Sequence, residues 1–358
     1  MNSLTSTFAA AITGLALCLC NIDGALANSI DEEHLVGFQD ITFQAAHHEV
    51  PINGALFFPA KENTETISTV AENAVFQGQL VYSDAQPLAG QYPVVLMSHG
   101  LGGHWRTLAW LAKALAARGA IVILVDHPNS TARHFHIKPG LNHGTRVTDL
   151  LEAMDHVADT LNFRSAIDNT RLYATGFSYG GWTALSMAGV TGDLTGYAQH
   201  CAQAGTLSSH CNDLNRAGFD LSELDEALWN ASYKVDRITA VAAIDPGLLY
   251  GLSQSNVQDV DADVLLIGLG EGEQRLYATD FSEAGNGFLE LLQGSHSASS
   301  HIYVSPANHY SALRQCKAMG TAILAEEGDD PVCTDPSSAD RAEIHDQIIH
   351  AIASSFNL

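Results

Sequence analysis

Residues 171–181 read Arg-Leu-Tyr-Ala-Thr-Gly-Phe-Ser-Tyr-Gly-Gly, and the chain runs on through Trp182-Thr183-Ala184-Leu185-Ser186-Met187-Ala188. The first five residues have the character of a strand, and the last seven that of a helix. Between them stands Gly176-Phe177-Ser178-Tyr179-Gly180. A strand that passes straight into a helix bends sharply, and small residues beside the bend let the backbone through. The serine hydroxyl is then carried at the top of a sheet, at the N-terminus of a helix. A glycine-rich turn can hold a serine by chance, so the reading depends on what stands at the ends of the other strands.

Working outward, Pro93–Ser98 (PVVLMS) and Ile121–Asp126 (IVILVD) are continuous apolar runs, as expected of strands buried on both faces. His104–Arg118 between them has helical periodicity and stops at Gly119, a C-cap residue. Val147–Leu161 reads as a helix, and Ile238–Ile244, Val264–Leu269 and His301–Val304 as later strands. Phe281–Leu292 reads as partly helical, and Ala339–Phe356 as a closing helix. Near the N-terminus, Ile41–His48 and Ala55–Phe58 read as strands joined by a turn at Pro51-Ile52-Asn53-Gly54, and one more strand is expected near Val75–Tyr82. Strands alternating with helices predict an α/β fold, a mostly parallel sheet with helices on both faces. Val190–Asp236 interrupts the alternation and is expected to be a lid-like insertion after the helix that follows Ser178, within a single domain over residues 28–358.

Ligands of open α/β sheets bind beyond the carboxyl ends of the strands. After Pro93–Ser98 comes His99-Gly100-Leu101-Gly102-Gly103, whose glycines let backbone N–H groups approach a substrate. The Leu101 amide and the Tyr179 amide, next to Ser178, are the candidate oxyanion donors. After Ile238–Ile244 comes Asp245-Pro246-Gly247, a candidate carboxylate to orient a histidine. Glu271 and Glu273, at the next strand end, are rivals for that role. The candidate base must follow the acid, and His296, His301, His309, His345 and His350 do so. His309, in the loop past the last strand, is best placed, His296 is the runner-up, and His345 and His350 are expected on the surface of the closing helix. His127, His134, His136 and His143 cluster after the second core strand, and His134-x-His136 alone has no third ligand at convincing spacing, so a polar loop beside the cleft is expected there.

The formal charge of -24, with only 16 Lys plus Arg, argues against nucleic acid or an anionic membrane surface as partner. Thr5–Ala27, with an apolar core at Phe8–Cys20 and Ala25-Leu26-Ala27 as a cleavage site, predicts a signal peptide over residues 1–27 and export to a periplasm or the medium. The run is too short and interrupted for a good membrane span. Beyond it stand Cys201, Cys211, Cys316 and Cys333, an even set that suggests disulfides, the short loops favouring Cys201–Cys211 and Cys316–Cys333.

Taken in order, Val94–Gly103 (VVLMSHGLGG), Arg106-Thr107-Leu108, Leu124–His127 (LVDH), Gly176–Gly181 (GFSYGG), Ala243-Ile244-Asp245 and the His309 loop resemble the platelet-activating-factor acetylhydrolase and dienelactone hydrolase-like branch of the α/β hydrolases. The resemblance covers roughly Ala55–Leu313. It implies a serine hydrolase of small-molecule or lipid-like carboxylic esters with no metal or organic cofactor. Ser178, Asp245 and His309 would be its triad, and Leu101 and Tyr179 its oxyanion donors. The chain departs from the pattern at Phe177, where a histidine is common, and in the longer spacing from Ser178 to Asp245. Dienelactone hydrolases proper use a cysteine nucleophile, so Ser178 argues against that activity. Acyl transfer through the same triad, and a catalytically silent scaffold used for binding, are the other readings open to such a chain.

Overall fold

The computed structural model describes residues 33–62, 66–161, 163–296 and 298–358; the expected signal peptide lies outside them. The chain runs β1 (Val36–Phe43), β2 (Ile52–Pro59), β3 (Ile67–Val70), β4 (Gln79–Ser83), β5 (Tyr92–Ser98), α1 (Ala109–Ala117) and β6 (Ile121–Val125). A two-stranded hairpin, β7 (Ser130–Thr131) and β8 (His134–Phe135), leads into α2 (Ile137–Gly140), α3 (His143–Asp159), β9 (Ile167–Phe177) and α4 (Tyr179–Ala188). Three helices, α5 (Leu194–Ala204), α6 (Ser209–Arg216) and α7 (Glu226–Trp229), fill the insertion. Then come β10 (Ile238–Ile244), β11 (Asp263–Leu269), α8 (Phe288–Ser295), β12 (Ser300–Val304), α9 (Gly320–Glu327) and α10 (Arg341–Phe356).

Ten of the strands join in one sheet, ordered β12-β11-β10-β9-β5-β6-β2-β1-β4-β3. From β12 to β6 every pair is parallel, while β2 joins β6, and β1 joins β2, antiparallel. This is the α/β-hydrolase fold. The central strands β5 and β6 are almost wholly buried because helices cover both of their faces, and β3, alternately exposed, forms an edge. Side chains of α3, α4 and α8, such as Leu150, Trp182 and Leu292, belong to one core cluster. Side chains of α1 and α10, such as Leu111 and Ile348, belong to the other. From β5 the chain moves to β6 on one side and later returns to β9 on the other. That reversal opens a crevice at the carboxyl ends of β5 and β9.

Several local expectations shift. Of the turn expected at Pro51–Gly54, Ile52, Asn53 and Gly54 lie inside β2, and the strand expected at Ile41–His48 ends at Phe43, opposite Ile52. Gly54 is there for close approach, since a Cβ would stand 2.2 Å from the Leu124 carbonyl oxygen of β6. Helix α3 begins four residues before the expected Val147, because the Asn142 side chain caps it by accepting from the Gly144 amide. Cys201–Cys211 and Cys316–Cys333 are both formed. Among the described residues, no helix is long and apolar enough to cross a membrane.

Candidate active site

The bend between β9 and α4 puts Ser178 at φ 57°, a left-handed value that side chains rarely adopt. Tight packing holds it there: a Cβ on Gly176 would stand 2.4 Å from the Gly180 backbone, and one on Gly180 1.9 Å from the Ser98 carbonyl oxygen. The Ser178 amide donates to the Ile244 carbonyl of β10 at 2.9 Å. The serine is thus fixed to both neighbouring strands at the N-terminus of α4, where the helix dipole is positive. Tyr179 opens α4, so its amide is one of the first-turn N–H groups with no intrahelical acceptor.

Asp245, at the end of β10, is fully buried. Its Oδ1 accepts the Leu269 amide at 3.0 Å, and its Oδ2 accepts the Thr279 hydroxyl at 2.8 Å and faces His309 Nδ1 at 2.5 Å. With three donors aimed at it, the carboxylate selects the His309 tautomer protonated on Nδ1, which leaves Nε2 as the unprotonated nitrogen. The Phe177 ring packs against the His309 imidazole, with centroids 4.5 Å apart. Ser178, Tyr179, His309 and Leu101 line one cleft of about 260 Å³. The insertion forms part of its wall through Tyr197, His210 and Asp213.

The rival residues lie elsewhere. Glu271 and Glu273 are exposed. His296 has its Nε2 3.8 Å from Asp263, and His301 is exposed on β12. His350 is exposed on α10, but His345, expected on that helix's surface, is buried. Its ring stacks on Trp110 with centroids 3.6 Å apart, and its Nε2–H donates to the Leu313 carbonyl at 2.9 Å and the Ser311 carbonyl at 3.1 Å. Burial lowers its pKa to about 4, so the ring is neutral. His345 and Trp110, which donates to the Ala312 carbonyl at 3.1 Å, therefore pin the chain just after His309 from beneath.

The second wall is the loop after β5. Gly102 and Gly103 donate their amides to the Ser130 and Gly100 carbonyls, while Leu101 lines the cleft. His99 is buried; its Nδ1–H donates to the Gly100 carbonyl at 2.7 Å and its Nε2 accepts the His127 amide at 3.1 Å. Burial first, and the Arg146 charge second, hold its pKa well below the usual histidine value. Arg146, an unforeseen member of the site, lies under this loop. It donates to Ser98 Oγ at 3.0 Å, to Ser130 Oγ at 2.7 Å, to Thr183 Oγ1 at 3.0 Å and to the His99 carbonyl. Its guanidinium lies over the Tyr179 ring, 4.4 Å from the centroid. Full burial lowers its pKa to about 10, which leaves it charged at neutral pH. One cation thus binds the loop carrying Leu101 to the helix turn carrying Tyr179. Of the histidine cluster, His134 and His136 are exposed and His127 and His143 are buried, His143 Nδ1 lying 3.0 Å from the Tyr179 hydroxyl.

The arrangement offers a hydroxyl at a strained bend, an oriented imidazole, and amides at a helix N-terminus, the parts needed for acyl transfer. Residues 93–227 match the profile of the family described as alpha/beta hydrolase fold. The chain is 28% identical over 134 residues to a bis(hydroxyethyl) terephthalate hydrolase of Streptomyces coelicolor, covering 37% of this chain and 40% of that one. It is also 28% identical over 142 residues to cutinase 1 of Thermobifida cellulosilytica, covering 38% and 48%. The match thus spans less than half the length of these relatives. A solved ferulic acid esterase of Streptomyces cinnamoneus, 14% identical, superposes with a TM-score of 0.59 over 93% of this chain and 91% of that one, a likeness of fold.

Proposed function

We propose that this chain, which has the α/β-hydrolase fold, is an exported serine hydrolase of carboxylic esters. Ser178 Oγ attacks the ester carbonyl carbon while His309 Nε2 takes its proton, and Asp245 holds the resulting imidazolium. The Leu101 and Tyr179 amides receive the oxyanion. His309 then returns the proton to the leaving alcohol, and water, activated by the same imidazole, resolves the acyl-enzyme. The observation that carries this reading is the 2.5 Å contact of Asp245 with His309, in the cleft of a serine held at φ 57°.

The relatives named for bis(hydroxyethyl) terephthalate and for cutin support uncharged esters as substrates. The cleft agrees with this: Leu101, Leu248 and Tyr197 offer apolar surface, while Asp213 and Asp330 disfavour an anionic ester. The leader-like Thr5–Ala27 and the two disulfides support export. The test is hydrolysis of p-nitrophenyl esters of graded acyl length and of bis(hydroxyethyl) terephthalate. Activity on none of them would overturn the reading, as would full activity in Ser178→Ala.

A further inference from the structure

Away from the cleft, three imidazoles converge on one buried carboxylate. Asp149, on α3, has 1% of its side chain exposed. Its Oδ1 lies 2.7 Å from His47 Nε2 and 2.8 Å from His48 Nε2, and its Oδ2 lies 2.8 Å from His127 Nδ1. His47 and His48 sit on the turn between β1 and β2, and the Gln44 side chain fixes that turn by donating to the His48 carbonyl at 2.7 Å. The ester chemistry proposed above uses neither His47 nor His48.

We propose that His47 Nε2, His48 Nε2 and Asp149 Oδ1 are the protein ligands of a zinc-like divalent cation, distinct from the catalytic cleft. Two imidazoles and one carboxylate suit zinc and its borderline neighbours, whereas calcium and magnesium prefer all-oxygen shells. The three ligand atoms lie within 4.8 Å of one another. Tetrahedral zinc with bonds of about 2.1 Å holds its ligand atoms about 3.4 Å apart. The two rings therefore need to withdraw from the Asp149 oxygen by about 0.6 Å, a movement within reach of side chains on a turn. His47 is a quarter exposed, which opens the fourth position to water and gives the ion a path in.

Proton placement also accommodates an ion. His47 Nδ1 faces Glu152 Oε1 at 3.5 Å. If a neutral His47 merely donated Nε2–H to Asp149, its Nδ1 lone pair would face the Glu152 carboxylate. With a cation on Nε2, the proton moves to Nδ1 and points at that carboxylate, the usual outer support of a metal-bound histidine. His127 in turn holds Asp149 Oδ2, so the ligand oxygen is oriented from behind. The ion would tie the β1–β2 turn to α3. Through His127, whose Nε2 lies 2.9 Å from Ser98 Oγ, it would reach the foot of the loop that carries Leu101.

The test is calorimetric titration of the chelator-treated, tag-free protein with zinc, read beside its thermal unfolding. One site per chain is expected, with a zinc-dependent rise in Tm that a chelator reverses and that calcium does not produce. His47→Ala, a substitution at a partly exposed position, is expected to weaken that site at least tenfold, and Glu152→Gln about tenfold. The His134→Ala/His136→Ala double variant is expected to bind as the parent does. Absence of the site in the parent, unchanged affinity in His47→Ala, or loss of the site in the double variant would each overturn the proposal.

Discussion

Replacing Asp245 by asparagine tests the site with the least change of shape. The carboxylate receives the Leu269 amide on Oδ1, and the Thr279 hydroxyl and the His309 Nδ1–H on Oδ2. An asparagine must put its NH₂ in one of these two places. At the Oδ1 position it would face the Leu269 N–H, a fixed backbone donor with no freedom to turn. At the Oδ2 position it meets two adaptable partners: Thr279 already has the Leu276 carbonyl at 3.2 Å as a second acceptor, and His309 can change tautomer. The amide nitrogen therefore turns toward His309, whose Nδ1 becomes an acceptor and whose Nε2 carries the proton. An imidazole protonated on Nε2 cannot take the Ser178 proton. The expected fall in kcat is about 10⁴-fold, or about 5.4 kcal/mol at 1.36 kcal/mol per decade. KM and the circular dichroism spectrum should barely move. Steady-state hydrolysis of a short p-nitrophenyl ester at pH 8 measures this, with Glu271→Gln as the comparison, expected within about twofold of the parent. A kcat for Asp245→Asn within tenfold of the parent, or a larger loss in Glu271→Gln, would refute the reasoning.

Three further outcomes are expected. Gly180→Ala puts a Cβ where the Ser98 carbonyl oxygen stands at 1.9 Å, so the bend must move and kcat/KM should drop at least about 10²-fold; a kinetically silent variant would contradict the packing described. His345→Phe keeps a ring on Trp110 but leaves the Ser311 and Leu313 carbonyls without their donor, and urea unfolding should show a loss of about 2 to 3 kcal/mol together with a lower kcat. Burial lowers His345 to about 4, and burial first, then the Arg146 charge, lowers His143 to about 3. Both folded values lie below the unfolded value of about 6.5. The unfolded chain therefore gains protons first, and the contribution of these groups is complete above pH 6.5 and lost as pH falls through 4 to 3. The upper bound on the contribution is on the order of 3 kcal/mol for His345 and about 5 kcal/mol for His143. Urea midpoints that stay flat from pH 7 to 4 would exclude this.

The parts of the fold legible in the sequence were those fixed by local rules. PVVLM and IVILV are apolar throughout because helices cover both sides of β5 and β6, and a run of that kind has few other interpretations. The strand-end residues were legible for the same reason: chain order and the parallel sheet bring Gly100–Gly103, Ser178, Asp245 and His309 to one edge. What escaped was whatever depends on a partner far away in sequence. Gly54 looks like a turn glycine until β6 is laid against it. Arg146 stands one residue before the expected start of its helix, and nothing nearby marks it as a buried cation beneath the loop that carries Leu101. His345 stands three and four residues before Ile348 and Ile349, on the buried face of α10, but a histidine on a terminal helix reads as a surface residue until Trp110 and the Ser311 and Leu313 carbonyls, distant in sequence, are brought to it. The pair His47-His48 falls in a stretch read as strand, and its convergence on Asp149, about a hundred residues later, exists only in the folded chain.

The most direct measurement is the site of covalent capture by a fluorophosphonate, located by intact mass and peptide mapping. The account predicts one adduct per chain, on Ser178, abolished in Ser178→Ala together with ester hydrolysis. Ester hydrolysis that survives in Ser178→Ala, or an adduct on another serine, would contradict it.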